Sequence, residues 1–171
     1  MSIQSIRDLL PEYAKDQRLN LSRVLEAPGL TPQQIWGTAV ACAVAVRNPQ
    51  LREAVYAEAR QHLSDEAFDA ARGAAVVMGM NNVYYRFTHM STDDDYGRMP
   101  AQLRMNIIGN PGVDKVDFEL WCLAVSAINA CEMCIASHEK VVRDGGVSKE
   151  GVQGAVRIAS VLSAVAVALE S

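Results

Sequence analysis

The fold turns on one stretch, Phe118-Glu119-Leu120-Trp121-Cys122-Leu123-Ala124-Val125-Ser126-Ala127-Ile128-Asn129-Ala130-Cys131-Glu132-Met133-Cys134-Ile135-Ala136-Ser137-His138. It holds two cysteines at a redox spacing, a histidine one helical turn further on, and a carboxylate upstream. On a helix, residues 131, 134 and 138 lie at roughly 0°, −60° and −20° around the axis, so both sulfurs and the imidazole share one face. Glu119 is twelve residues before Cys131, about 18 Å along a straight helix and too far for proton transfer. The helix must therefore break and fold back. Asn129-Ala130 is the predicted hinge, because asparagine is a weak helix former and a good cap, and Asn129 is expected to cap the helix that carries the cysteines.

The residue types make a coherent chemistry. A CxxC at the start of a helix closes a small-ring disulfide, and helix N-termini favour the thiolate. A neighbouring imidazole accepts or returns the proton, and a carboxylate bonded to that imidazole holds its tautomer.

Working outward, 171 residues suit one domain with a sizeable core. Half the residues are hydrophobic but only 6% aromatic, which favours a helical globule packed with small side chains over a sandwich or barrel. The net charge of −4 leaves no electrostatic footprint for nucleic acid, and no basic run gathers one. The start, Met1-Ser2-Ile3, does not read as a signal peptide. The apolar tract from Ile158 to Leu169 reads as too short to span a bilayer. No membrane role and a cytoplasmic location are the expectations, and in that compartment a CxxC reads as catalytic or metal-binding rather than as a scaffold disulfide.

Residues 1 to 26 read as one or two short helices, ended by Pro28-Gly29. Thr31-Pro32-Gln33-Gln34 is a capping box with proline at the first helical position. It launches a helix that runs to Asn48-Pro49, and a second helix follows from about Gln50 to His62. Ser64 begins a long third helix to about Arg86, with Leu63 and Phe68 placed as a hydrophobic staple. A polar connection over 88–97 and a short helix over 99–108 lead to Asn110-Pro111-Gly112, a turn signal.

The chain then reads as repeating itself, with a pseudo-repeat over about 31–86 and 116–169 inside one domain spanning 1–171. A shift of 85 sets Gln34-Ile35-Trp36 on Glu119-Leu120-Trp121, and a shift of 84 sets Leu63-Ser64 on Val147-Ser148. In that register the first unit carries Gln34 for Glu119, Val46 for Cys131, Pro49 for Cys134 and Glu53 for His138. One half is then scaffold and the other active.

Bland readings cover the other chemistry-bearing residues. Cys42 and Cys122 sit singly in apolar runs and read as buried small hydrophobes, so CxxC lacks a second pair for zinc and no metal is expected. Trp36 and Trp121 read as core anchors, and His62 and His89 have no partner legible in the sequence. Met78, Met80, Asn81 and Asn82 read as packing and helix surface. The Asp93 to Asp95 run lacks the glycine and distal glutamate of a calcium loop.

Glu119-Leu120-Trp121, Ala127-Ile128-Asn129, Cys131-x-x-Cys134 and His138-Glu139 together resemble the AhpD-type alkylhydroperoxidases of the carboxymuconolactone decarboxylase-like superfamily. Leu10-Pro11-Glu12-Tyr13-Ala14-Lys15-Asp16, the run from Met78 to Arg86, and Leu103-Arg104-Met105-Asn106-Ile107-Ile108 carry the resemblance over nearly the whole chain. It implies an all-α subunit with a duplicated helical motif, assembled as a homotrimer. It also implies an antioxidant enzyme that reduces the oxidised peroxiredoxin AhpC and, weakly, organic hydroperoxides. Recharging would come from dihydrolipoamide on a lipoylated acyltransferase, served by an NADH-dependent dihydrolipoamide dehydrogenase, with no tightly bound cofactor. By position the site is Glu119, Cys131, Cys134 and His138. Cys134 would be the attacking cysteine, Cys131 the resolving one, and Glu119 with His138 the proton relay. Related sequences can carry histidine just before the second cysteine, where this chain has Met133. Two alternatives stand beside this reading. One is a lactone decarboxylase on the same fold, which needs no cysteine pair; the other is a non-catalytic trimeric module with structural thiols.

Overall fold

The two central helices are α3 (Pro32–Ala45) and α8 (Lys115–Ile128), and their sequences explain why. Ile35 to Ala43 and Asp117 to Ser126 are buried without interruption, so neither helix has a solvent face over those residues. Their close approach depends on Gly37. A Cβ there would lie 2.2 Å from the Trp121 indole, so any other residue would push the helices apart. The crossing is tied at its polar end, where the Gln33 and Gln34 amides donate to the Asp117 carboxylate at 2.7 and 2.8 Å.

The computed structural model describes residues 1–171, all helices and connections. Before α3 come α1 (Ile3–Leu9), a 3₁₀ turn (Glu12–Ala14) and α2 (Lys15–Val24). After it come α4 (Pro49–Ala59) and α5 (Asp65–Met90), then the short α6 (Asp95–Arg98) and α7 (Asn106–Gly109). After α8, α9 (Glu132–Asp144) and α10 (Lys149–Glu170) complete the chain. The all-α expectation holds.

Local signals act as their chemistry requires. Thr31 and Gln34 form the capping box, with Pro32 at the first position of α3. Ser64 caps α5 through a bond from the Ala67 amide. The long third helix runs on to Met90 rather than stopping near Arg86. The polar connection contains α6, whereas the helix expected over 99–108 is reduced to α7 at its end. Pro100 and Gln102, whose φ is 52°, keep the intervening residues out of helical conformation. The apolar C-terminal tract is part of a 22-residue helix, so its length does suffice to cross a bilayer. In this fold α10 instead buries Ile158, Leu162 and Val165 against its neighbours, and it packs on α2, α3 and α8.

The helix order α3–α4–α5 recurs as α8–α9–α10. The residues preceding the helices are Thr31 and Asp114, Asn48 and Cys131, and Ser64 and Ser148, so the spacing is 83, 83 and 84. The shift of 85 suggested by the two tryptophans is therefore not the register of the helices. In helix register Trp36 corresponds to Glu119, because a shared residue type inside an all-round buried helix does not fix rotation or rise.

Candidate active site

The hinge between α8 and α9 lies where the geometry demanded it, but its chemistry differs from the expectation. Asn129 is the C-cap of α8, not the N-cap of α9; that position belongs to Cys131. Ala130 takes φ 52°, its amide donates to the Ala127 carbonyl, and the Cys131 amide donates to the Ser126 carbonyl. These two bonds make a Schellman motif with alanine in the left-handed position, where glycine is the unstrained choice. The Asn129 side chain works across the fold instead. Its Nδ2 donates to Asn82 Oδ1 at 2.9 Å, and Arg86 Nη1 donates to its carbonyl at 2.7 Å. So α5 clamps the turn.

The reversal brings the four predicted residues together. Cys131 and Cys134 are joined in a disulfide, their Cα atoms 5.3 Å apart, a separation that suits the bond. Cys131 is fully buried and Cys134 is 7% exposed, so only one sulfur can be approached. His138 follows Cys134 by one turn on the same face. Its Nδ1 lies 2.5 Å from Glu119 Oε2, and both side chains are buried. Glu119 is in the second turn of α8, beyond the first-turn position where it would act only as a dipole partner.

Cys134, His138 and Glu119 open on one pocket of about 280 Å³, walled by Asn81 and Tyr85 of α5, Met105 and Ile108, and Met133, Ser137 and Val141 of α9. The pocket is mainly apolar, with the ionisable groups gathered at one place. A larger cavity of about 830 Å³, lined among others by Arg52, Tyr56, Arg72 and Arg104, contains none of the four residues and meets the site only at Met105. Chemistry locates the site here, and cavity size does not.

The remaining nitrogen of His138 has a partner that the sequence did not suggest. Nε2 lies 3.2 Å from Met78 Sδ. Ser126 Oγ donates to the same sulfur at 3.4 Å, and Asn82 Nδ2 approaches it at 3.6 Å and donates to Ser126 Oγ at 2.9 Å. Met78, Asn82 and Ser126 are buried. Met78 does pack in the core as its pattern suggests, but its sulfur also meets the imidazole, and the two asparagines are buried rather than on the helix surface. The available signal was a pair of adjacent amides inside an apolar helix, since buried amides need partners.

The other thiols stay outside the site. Burial pushes Cys42 far above its ordinary range, and burial, then the Glu119 charge, does the same to Cys122. Both persist as thiols. His62 stacks on Trp36 with centroids 4.7 Å apart, and His89 reaches Glu132 at 3.2 Å across the α5–α9 contact.

Comparison with known proteins gives the family. Residues 94–171 match the model of the carboxymuconolactone decarboxylase family. The chain is 56% identical to the alkyl hydroperoxide reductase AhpD of Solibacter usitatus over 170 residues, covering 99% of this chain and 96% of that one. It is equally similar to the proteins of that name from Brucella anthropi, over 100% and 98% of the two chains, and Gluconacetobacter diazotrophicus, over 99% and 93%. With full-length likeness of this degree, and the cysteine pair folded beside a buried carboxylate–imidazole pair, the chain belongs to the AhpD alkyl hydroperoxide reductases of the carboxymuconolactone decarboxylase family.

Proposed function

We propose that this alkyl hydroperoxide reductase works as a thiol–disulfide oxidoreductase that reduces the oxidised peroxiredoxin AhpC as well as organic hydroperoxides, through the Cys131–Cys134 pair. Dihydrolipoamide on a lipoylated acyltransferase, kept reduced by a dihydrolipoamide dehydrogenase and NADH, restores the dithiol. The enzyme acts as a cytoplasmic homotrimer. The observation that carries the chemistry is the asymmetry of the two sulfurs: Cys134 lines the pocket beside His138, and Cys131 is sealed behind it.

Reduced Cys134 attacks either the outer oxygen of a hydroperoxide or a sulfur of the peroxiredoxin disulfide. The first route releases an alcohol and leaves a sulfenic acid; Cys131 then attacks that sulfur and water departs. The second leaves a mixed disulfide, from which Cys131 displaces the peroxiredoxin thiol. Both end at the Cys131–Cys134 disulfide. His138, held by Glu119, takes the Cys134 proton before attack and returns one when the disulfide is reduced.

Mixing the purified protein with a lipoylated carrier, its dehydrogenase and NADH tests this reading. NADH consumption is expected on adding an organic hydroperoxide, and faster consumption on adding oxidised peroxiredoxin. No consumption with either acceptor, using a carrier shown to be reduced, would sink it.

A further inference from the structure

We propose that Met78 is a positioning residue of the redox site, whose thioether fixes a proton on Nε2 of His138 in the disulfide form. The proposal rests on the redox reading for what that proton does. The protonation itself can be read in the isolated oxidised protein.

A thioether sulfur carries lone pairs and no hydrogen, so it can only accept. At 3.2 Å from Sδ, Nε2 must carry the hydrogen, since a bare nitrogen lone pair would face another lone pair and remain unsatisfied. On the other side of the ring, one further proton lies between Nδ1 and Glu119 Oε2. The buried pair therefore holds two protons, as imidazolium with carboxylate or as neutral ring with carboxylic acid. In both forms Nε2 is the protonated atom, and Met78 makes it so.

The sulfur is itself held in place. Ser126 and Asn82 donate to it, Asn82 also bonds Ser126, and Asn129 at the hinge bonds Asn82. One connected network thus sets the turn that presents Cys131 and the ring that serves Cys134. The ionisable groups around the ring are Glu119 from α8, Cys134 on α9 itself and Tyr85 across the pocket from α5. None of them competes for Nε2 while the disulfide is closed.

The consequence lies in the recharging step. A donor dithiol attacks Cys134, the accessible sulfur, and Cys131 leaves as thiolate. The second donor thiol then closes the donor's own disulfide and expels Cys134. Two electrons pass to the protein, and both cysteines take up protons that the two donor thiols give up. The Nε2 proton, held on Met78 while the disulfide is closed, is the one that His138 passes to departing Cys134, and solvent returns it to the ring.

The test uses oxidised full-length protein with ¹⁵N-labelled histidine. In the wild type, the Nε2 signal of His138 is expected to show a directly bonded proton. Met78→Leu keeps the bulk and removes the acceptor; it should lose that signature and slow reduction by dithiothreitol about tenfold. Met78→Gln restores an acceptor and should recover both. Ser126→Ala, which frees the sulfur without touching the ring, should shift both readouts in the same direction by less, and it serves if Met78→Leu fails to fold. A protonated Nε2 and unchanged reduction rate in Met78→Leu, or in Ser126→Ala if the first variant cannot be studied, would overturn the proposal. Failure of peroxide turnover in the wild type would strike the redox reading alone.

Discussion

The two helical series of this protein, α3–α5 and α8–α10, match in the spacing of their helix starts but not in the residues they carry. In helix register the site residues Glu119, Cys134 and His138 correspond to Trp36, Leu51 and Val55, all buried. The supporting network of Met78, Asn82, Ser126 and Asn129 corresponds to Leu162, Ala166, Ala43 and Val46. Polar and ionisable groups of the site thus stand against packing residues in either series: α8, α9 and their hinge carry Glu119, Ser126, Asn129, Cys134 and His138, while Met78 and Asn82 lie on α5 of the first. Even the turns agree: Arg47 and Ala130 stand in register, with φ of 62° and 52°. The difference is sharpest at the start of the middle helix. Asn48 caps α4 by accepting the Leu51 amide at 2.9 Å, whereas Cys131 makes no side-chain cap for α9. The first turn of α9 thus lacks a side-chain cap, at a cost of about 1 kcal/mol in helix stability.

Cys134 and Leu51 should differ most in what their loss does. Cys134→Ser is expected to cut turnover by about 10³-fold or more while the reduced protein melts as wild type. Leu51→Ala should do the reverse, losing about 2–5 kcal/mol of stability and leaving single-turnover thiol oxidation in the folded fraction intact. Urea melts and stopped-flow oxidation read both; appreciable turnover in Cys134→Ser would remove that residue from its role.

Next comes His138 against Val55. His138→Ala leaves Glu119 buried beside no partner and is expected to destabilise by about 3–5 kcal/mol, with a rate loss of roughly 10²-fold at neutral pH. Val55→Ala removes only apolar volume and should cost roughly 2 kcal/mol. Glu119→Gln keeps a hydrogen bond to the ring, so its stability loss should be the smaller of the two site variants. An unchanged rate in either would exclude that residue from the relay.

A smaller effect sets Cys42 in the first series against Cys122 in the second. Both thiols are held above their ordinary value of 9.0 in the fold. Their contribution is intact below that pH, where neither state ionises, and it is lost above, because the unfolded chain ionises first. Stability of the reduced protein should fall by about 1.4 kcal/mol per thiol for each pH unit above 9. Cys42→Ala and Cys122→Ala should each flatten the slope of urea-melt stability against pH, and a slope that neither changes would contradict the assignment.

The smallest effect is at the caps. Asn48→Ala should cost about 1 kcal/mol, and Cys131→Asn in the reduced protein should gain a similar amount by restoring the missing cap. Denaturation midpoints of reduced protein decide it. No gain in Cys131→Asn would mean that the uncapped helix start carries no penalty.

Much of this was legible in the sequence because it is local. The capping box at Thr31, the Ser64 cap and the CxxC–His spacing depend on residues within two turns of one another. The break near Asn129 followed from helix rise alone, since a straight helix cannot bring Glu119 to Cys131. The role of Asn129 was misread because a cap and a cross-helix donor look alike in one dimension. The repeat register was misread for a related reason: Trp36 and Trp121 match as residues, but caps, not tryptophans, mark where helices begin.

What the sequence determined by itself is an all-α chain with a hinged pair of helices carrying Cys131, Cys134 and His138 on one face. Short-range sterics and backbone hydrogen bonding are enough for that. That α5 supplies Met78 to the imidazole and Asn82 to the hinge, across 60 and 47 residues of chain, was settled by packing alone. The tertiary structure also decided which sulfur faces the pocket and that Glu119 meets Nδ1. These depend on how α5, α8 and α9 pack, and packing is settled by the whole core.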